Sequence, residues 1–335
     1  MDQGGSNSFG VLSAFVLKQR SWHHGVMLRT LVSFCFCSIV LVLSGRAVAQ
    51  KPPCRSTVSG DLRIEHFDSR IFPSPQTLRV WLPPGYGDAA NAQRKYPVLY
   101  LFDAQNLFDA CVGTFHSEWQ VDETLTRLIG AGRVEPLIVV GIDAPDDGPL
   151  RASEFVPVPD PSSPYAFEPH GDLMPKFLIE EVMPRIAREY RVKTGRANTA
   201  IGGSSYGGVA ALNALLTQPL TFGVGLLEST SLQVGNGEML RRTEHVSIVP
   251  LRLYIGVGDR ETAAFKEMVR KMGISPEGFD KVFARNSRMM AANFSDAGGS
   301  NIALKFVEAP EGTHSEEAWA KRFPAAVEFL FPAKK

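Results

Sequence analysis

Thr199-Ala200-Ile201-Gly202-Gly203-Ser204-Ser205-Tyr206-Gly207-Gly208 runs from a short apolar strand through G-x-S-x-G into a helix-forming stretch, Val209 to Leu215. A glycine-rich turn that merely contains serines would match the pentapeptide equally well. The strand before it and the helix after it separate the two readings. On a tight strand-to-helix turn the middle serine is held in a strained backbone conformation, its hydroxyl lifted above the sheet edge. Gly203 and Gly207 fit because side chains there would collide with the adjoining strand and helix. The helix also directs its positive end at the serine, where an oxyanion would develop. Ser205 therefore reads as a nucleophile, and the rest of the chain must supply a base and an acid.

In folds built on such a turn the order along the chain is serine, acid, histidine. Of seven histidines only His245 and His314 follow Ser205. His245 sits in the polar stretch Arg241-Arg242-Thr243-Glu244-His245 and reads as a surface residue. His314 follows an apolar strand, Ile302 to Val307, and a turn, Pro310 to Thr313, and precedes a helical pattern in Ala318, Phe323, Ala326 and Val327. That is where a general base sits to reach over the carboxyl edge of a sheet. The acid should end the preceding strand. Leu251 to Val257 reads as that strand and runs into Gly258-Asp259-Arg260-Glu261, which offers two carboxylates. Either could orient the imidazole, and the other would start the next helix or stabilise the turn.

Outward from this core the pattern is one alternation of strand and helix. Leu62–Phe67 and Leu78–Leu82 read as an antiparallel pair, the second stopped by Pro83-Pro84. Val98–Phe102 and Leu137–Ile142 read as buried strands, with a helix between them carrying Trp119, Val121, Leu125 and Leu128. A longer helix, capped by Asp172 with Pro175 in its first turn, runs toward Tyr190. The elbow strand, Phe222–Leu227, Leu251–Val257 and Ile302–Val307 follow. An α/β-hydrolase fold is expected: a mostly parallel, doubly wound sheet with an antiparallel N-terminal pair. Reactive groups in such sheets gather beyond the carboxyl ends of the strands. Ala144–Pro169 and Phe265–Ser300 are long for connections, the second with helical patches around Met268 to Met272 and Val282 to Met290. Both leave on the reactive side and suit a pocket wall.

Composition narrows the function. Lys plus Arg equals Asp plus Glu at 35 each, so no charge excess argues for nucleic acid. No His/Cys cluster has zinc spacing, and the glycines at 202–208 lack the G-x-G-x-x-G order and the P-loop lysine; no cofactor is expected. Leu31 to Leu43 is an apolar run preceded by Arg29 and followed by Ala47-Val48-Ala49, the pattern of a signal peptide cleaved before Gln50. It is shorter than the roughly 20 residues of a membrane span. Met27 would begin a signal peptide of ordinary length, so residues 1–26 read as an over-extended start or a long leader. The alternative is an uncleaved anchor. The chain thus divides into a signal peptide, 1–49, and a single catalytic domain, 50–335, periplasmic or secreted, with no stable membrane anchor after cleavage. Cys35 and Cys37 leave with the leader. Cys54 and Cys111 remain, either bonded in an oxidising compartment or as two unrelated thiols.

Several blocks together resemble the putative esterase (esterase D-like) family of α/β hydrolases, which includes siderophore trilactone esterases and feruloyl esterases. They are Trp81-Leu82-Pro83-Pro84-Gly85-Tyr86; Tyr96 to Asp109; Val140-Gly141-Ile142-Asp143 with Arg151 and Glu154; the elbow; and Glu311-Gly312-Thr313-His314-Ser315-Glu316-Glu317-Ala318-Trp319. Within Leu101-Phe102-Asp103-Ala104-Gln105, Ala104 stands where the family usually has glycine. The resemblance implies a serine ester hydrolase acting on a small-molecule or carbohydrate-linked ester. It implies backbone N–H groups of Tyr206 and Gln105 as the oxyanion hole, and a G-x-x-D/E acid, which counted from Gly258 is Glu261. An acid just ahead of the helical run at about Thr262 can reach back over the sheet edge, leaving Asp259 to stabilise the turn. An acyltransferase with the same acyl-enzyme is the nearest alternative, and a non-catalytic binding protein of this fold the next; no triad member is missing. A ferric trilactone, strongly anionic, would favour arginines at the pocket mouth, and Arg151, Arg285 and Arg288 lie in the long segments.

Overall fold

The computed structural model describes residues 54–246, 249–271 and 273–333. The expected signal segment and its cleavage position after Ala49 lie outside them. Eight strands form one sheet: β1 (Asp61–Asp68), β2 (Pro75–Leu82), β3 (Val98–Phe102), β4 (Ile138–Ile142), β5 (Thr199–Ser204), β6 (Val224–Glu228), β7 (Leu251–Gly258) and β8 (Ile302–Ala309). Their order across the sheet is β1-β2-β4-β3-β5-β6-β7-β8. β1 and β2 pair antiparallel, β2 meets β4 antiparallel, and the other pairs are parallel. This is the expected fold, with β5 and the elbow near the middle.

Helices cover both faces: α1 (Val121–Gly130), α2 (Gly148–Phe155), α3 (Met174–Phe177), α4 (Met183–Glu189), α5 (Ser205–Thr217), α6 (Val234–Arg242), α7 (Lys266–Lys271), α8 (Pro276–Gly298) and α9 (Glu316–Leu330). The two-residue period of a strand sends alternate side chains to opposite faces. In β3, Val98, Tyr100 and Phe102 enter one core with residues of α3, α5 and α8, while Leu99 and Leu101 enter the other with residues of α1 and α9. Every residue of β3 to β6 is buried, as expected of parallel strands covered on both sides. The described residues form one compact unit.

Two expectations need correction. The helix expected from Asp172 to Tyr190 is broken: a 3₁₀ turn, Gly171–Leu173, leads into α3, and a π turn, Leu178–Val182, separates α3 from α4. Asp172 lies inside the 3₁₀ turn and caps nothing. That start is fixed by docking instead, since the Gly171 N–H bonds Val156 O at 3.1 Å and a Cβ at Gly171 would lie 2.5 Å from the Val156 carbonyl carbon. The π turn precedes Pro184, which cannot donate to a carbonyl four residues back, and Met183 N–H reaches five residues back to Leu178 O. The stretch after Ala144 is no plain loop: α2 begins with Asp147 accepting from Leu150 N–H at 2.8 Å. In the second long segment the patch expected to be helical at 282–290 is helical, as part of one longer helix, α8, capped by Ser275.

Candidate active site

Ser205 opens α5 immediately after β5, with φ at 55°. That left-handed backbone is strained for any residue but glycine, and it turns the serine side chain away from both strand and helix. The flanking glycines are required sterically. A Cβ on Gly203 would lie 2.6 Å from the Gly207 carbonyl carbon, and one on Gly207 would lie 2.6 Å from Asp103 Oδ2 and 3.0 Å from Phe102 Cβ. The Ser205 hydroxyl is hydrogen-bonded to Ser231 Oγ at 3.4 Å rather than to His314.

The turn after β3 faces the elbow. Asp103, also left-handed at φ 60°, accepts from Arg151 Nε at 2.6 Å and Nη2 at 2.9 Å. Arg151 stacks over Tyr206 and Phe155, 5.4 Å from each ring centre. Burial alone would lower the Arg151 pKa, but Asp103 beside it raises it above the usual guanidinium value. Gln105 lies in the 3₁₀ turn Ala104–Asn106, and its Oε1 accepts from Ala144 N–H at 3.0 Å, tying that turn to the end of β4. Ala104 is accommodated by a partner. A Cβ on Gly141 of β4 would lie 2.5 Å from the Ala104 methyl, so Gly141 supplies the room. Tyr206 is the second residue of α5, and the leading N–H groups of a helix have no intrahelical acceptor.

His314 Nδ1 lies 2.7 Å from Glu261 Oε2. Glu261 follows β7 and is fully buried; His314 follows β8, and its backbone N–H also bonds Glu261 O at 3.2 Å. Edge-on contacts from Phe265, Phe283 and Trp319 enclose the imidazole, with ring centres 5.8, 5.6 and 5.1 Å away. Glu261 Oε1 accepts from Gly258 N–H at 2.5 Å and Ser229 Oγ at 2.7 Å. Burial pushes this carboxyl up, but His314 and those two donors more than offset it, leaving the pKa below the usual carboxylate range. Asp259 is exposed, and the 3₁₀ turn Glu261–Ala264 that follows has Arg260 at its N-cap with no side-chain cap, so Asp259 neither meets His314 nor caps a helix. His245 is exposed.

A profile of the family described as "Putative esterase" matches residues 69–330. The chain belongs to the esterase family. It is similar to the ferri-bacillibactin esterase BesA of Bacillus subtilis, 26% identical over 247 residues, covering 65% of this chain and 81% of that protein. It is also similar to an endo-1,4-beta-xylanase/feruloyl esterase of Xylanibacter ruminicola, 27% identical over 235 residues, which cover 66% of this chain but 26% of that longer protein. In fold it is similar to the siderophore hydrolase EstA from Aspergillus nidulans, with a TM-score of 0.64 and 21% identity over 81% of this chain and 95% of that one. Family membership and these relatives make the chain an ester hydrolase.

In this esterase, Ser205, Tyr206 and Gln105 fall on turns at the carboxyl ends of β5 and β3, and Glu261 and His314 on those of β7 and β8. Sequence reasoning missed the shell behind them: Ser229, Ser231, Trp319 and Arg322. The run Glu228-Ser229-Thr230-Ser231 at the carboxyl end of β6 was the available signal. Of the arginines in the long segments, Arg151 is paired with Asp103 and Arg288 with Glu308 at 2.6 Å, while Arg285 is exposed. Among the described residues, Glu118, Asp122 and Glu123 lie close enough together to share a cation. Thr57 and Ser59 donate to two of them, and no residue of the elbow or of the His314–Glu261 pair belongs to this group.

Proposed function

We propose that this esterase is an exported serine carboxylic ester hydrolase, acting on a small-molecule or carbohydrate-linked ester through an acyl-enzyme. Ser205 Oγ attacks the ester carbonyl while His314 Nε2 takes its proton; the tetrahedral oxyanion is met by the N–H groups of Tyr206 and Gln105. The imidazolium then protonates the departing alcohol, leaving Ser205 acylated. Water adds to the acyl group, giving its proton to His314, and the acid leaves as the proton returns to Ser205. Glu261 holds Nδ1–H toward itself, so Nε2 remains the basic nitrogen.

One observation carries this reading. A serine held at φ 55° and an imidazole whose Nδ1 side is taken by a buried carboxylate occupy loops at one edge of one sheet. The Ser205–Ser231 contact is compatible with it, because catalytic hydrogen bonds often tighten only when substrate arrives. The test pairs labelling with kinetics. A serine-directed phosphonate should modify Ser205 alone, and Ser205→Ala should fold normally and lose about 10^4 to 10^6 in turnover on nitrophenyl esters. Modification of Ser204, or a tenth of the activity surviving in the alanine variant, would overturn it. Feruloyl esters, acetylated xylan and a trilactone siderophore, the first and last suggested by the relatives' names, then resolve the substrate. Export is tested separately: the N-terminus of protein recovered outside the cytoplasm should be Gln50.

A further inference from the structure

We propose that Ser229 is a positioning residue for the catalytic acid, locked as a one-way donor to Glu261, and that the Arg322–Glu228 pair behind it sets the charge against which His314 becomes cationic. This rests on the triad reading above. Ser229 follows β6, is completely buried and has φ at 42°. Its hydroxyl lies 2.7 Å from Glu261 Oε1, 2.9 Å from Trp319 Nε1 and 3.3 Å from Arg322 Nη2. An indole N–H and a guanidinium N–H can only donate. Both therefore occupy the acceptor side of the hydroxyl, and its single proton is left with one destination, Glu261. With Gly258 N–H donating as well, Oε1 is supplied by two donors, which favours the ionised carboxylate. Oε2 is then free to hold the Nδ1–H of His314.

The second layer is ionic. Arg322 Nε and Nη2 lie 2.8 and 2.7 Å from Glu228 Oε2, and both side chains are buried. Burial pushes the Glu228 carboxyl up to about 6, with Arg322 working against that. Tyr254 of β7 faces the same pair, and Glu316 of α9 faces His314 on one side and Asp103 and Arg151 on the other. With Glu228 ionised, the inner group of Glu228, Arg322 and Glu261 carries one net negative charge, which proton transfer to His314 neutralises.

Two variants should therefore move the acid limb of kcat/KM against pH in opposite directions. Ser229→Gly removes the hydroxyl at a φ that glycine adopts freely. It leaves Glu261 more basic and the imidazolium favoured, so the limb should move up by about half a pH unit. Turnover should fall about 10 to 100-fold with KM little changed. Glu228→Gln keeps an acceptor for Arg322 but removes the negative charge, so the limb should move down. Both are measured on the mature protein with a nitrophenyl ester, alongside melting temperature and Glu261→Gln. A Ser229→Gly enzyme with wild-type limb and turnover, or a Glu228→Gln limb that moves up, overturns the inference. If Glu261→Gln loses turnover while neither second-layer variant moves the limb, the inference alone falls. If Glu261→Gln turns over like wild type, the triad reading falls and takes the inference with it.

Discussion

Two carboxylates follow β7 two residues apart, yet Glu261 is buried against His314 while Asp259 is exposed and touches neither the imidazole nor a helix end. Glu261→Gln should cost about 10^3 to 10^4 in turnover, since a misoriented imidazole is a poor base. Asp259→Asn should leave both turnover and melting temperature near wild type, because it caps nothing. Steady-state kinetics and a melting curve check both. Asp122 gives a residue-scale pH dependence. Burial, with Glu123 beside it, outweighs the Ser59 N–H and raises its pKa well above the aspartate range. Between the ordinary and the raised value the folded chain keeps a proton that the unfolded chain has released, so stability falls as pH rises through that window. Asp122→Asn should flatten this slope and melt above wild type at pH 8. Ser205 and His314 were legible because each is announced by its own strand and turn. Ser229 was not: it meets Glu261 across 32 positions and Trp319 across 90, and nothing local encodes either meeting.

Elements that depend on local pattern were legible, and those that depend on docking were not. β3 was readable residue for residue, because five apolar residues between turn signals leave a buried strand few alternatives. α2 hid in a Pro- and Asp-rich stretch, although Asp147 followed by Gly148-Pro149 is a cap with proline in the first turn. The break between α3 and α4 needed Pro184 to be weighed against the apolar stripe that runs through it. Ala104 and Gly141 make the strongest element-scale prediction, because a strand and a turn share one methyl's worth of room. Gly141→Ala should destabilise by about 1–3 kcal/mol through overpacking. Adding Ala104→Gly should recover part of that, with Phe108 Cε2 at 3.3 Å limiting the rescue. Denaturant melts of the three variants would read the coupling.

At the scale of the molecule, Cys54–Cys111 is the disulfide among the described residues, joining positions 57 apart. Cys54 begins a strap that is held to the first turn of α1 by Ser59 N–H on Asp122 and to the segment ahead of α1 by Thr57 on Glu118. Closing a loop of that length stabilises by about 4 kcal/mol in the chain-entropy account. A reductant should therefore lower the melting temperature by several degrees while the sheet and the elbow remain. Cysteine spacing alone left the pairing open; its answer lies in how Ser56 and Thr57 bind Asp109 and Ala110 in the loop after β3.

The left-handed backbone of Ser205 sets heat resistance against usefulness. A glycine there would release about 1 kcal/mol of torsional penalty, and the dead protein should melt slightly higher than the living one. A population screened only for survival at high temperature would drift toward discarding the serine proposed as its nucleophile. A campaign to make this esterase more robust should therefore hold position 205 fixed and score turnover alongside every gain in melting point.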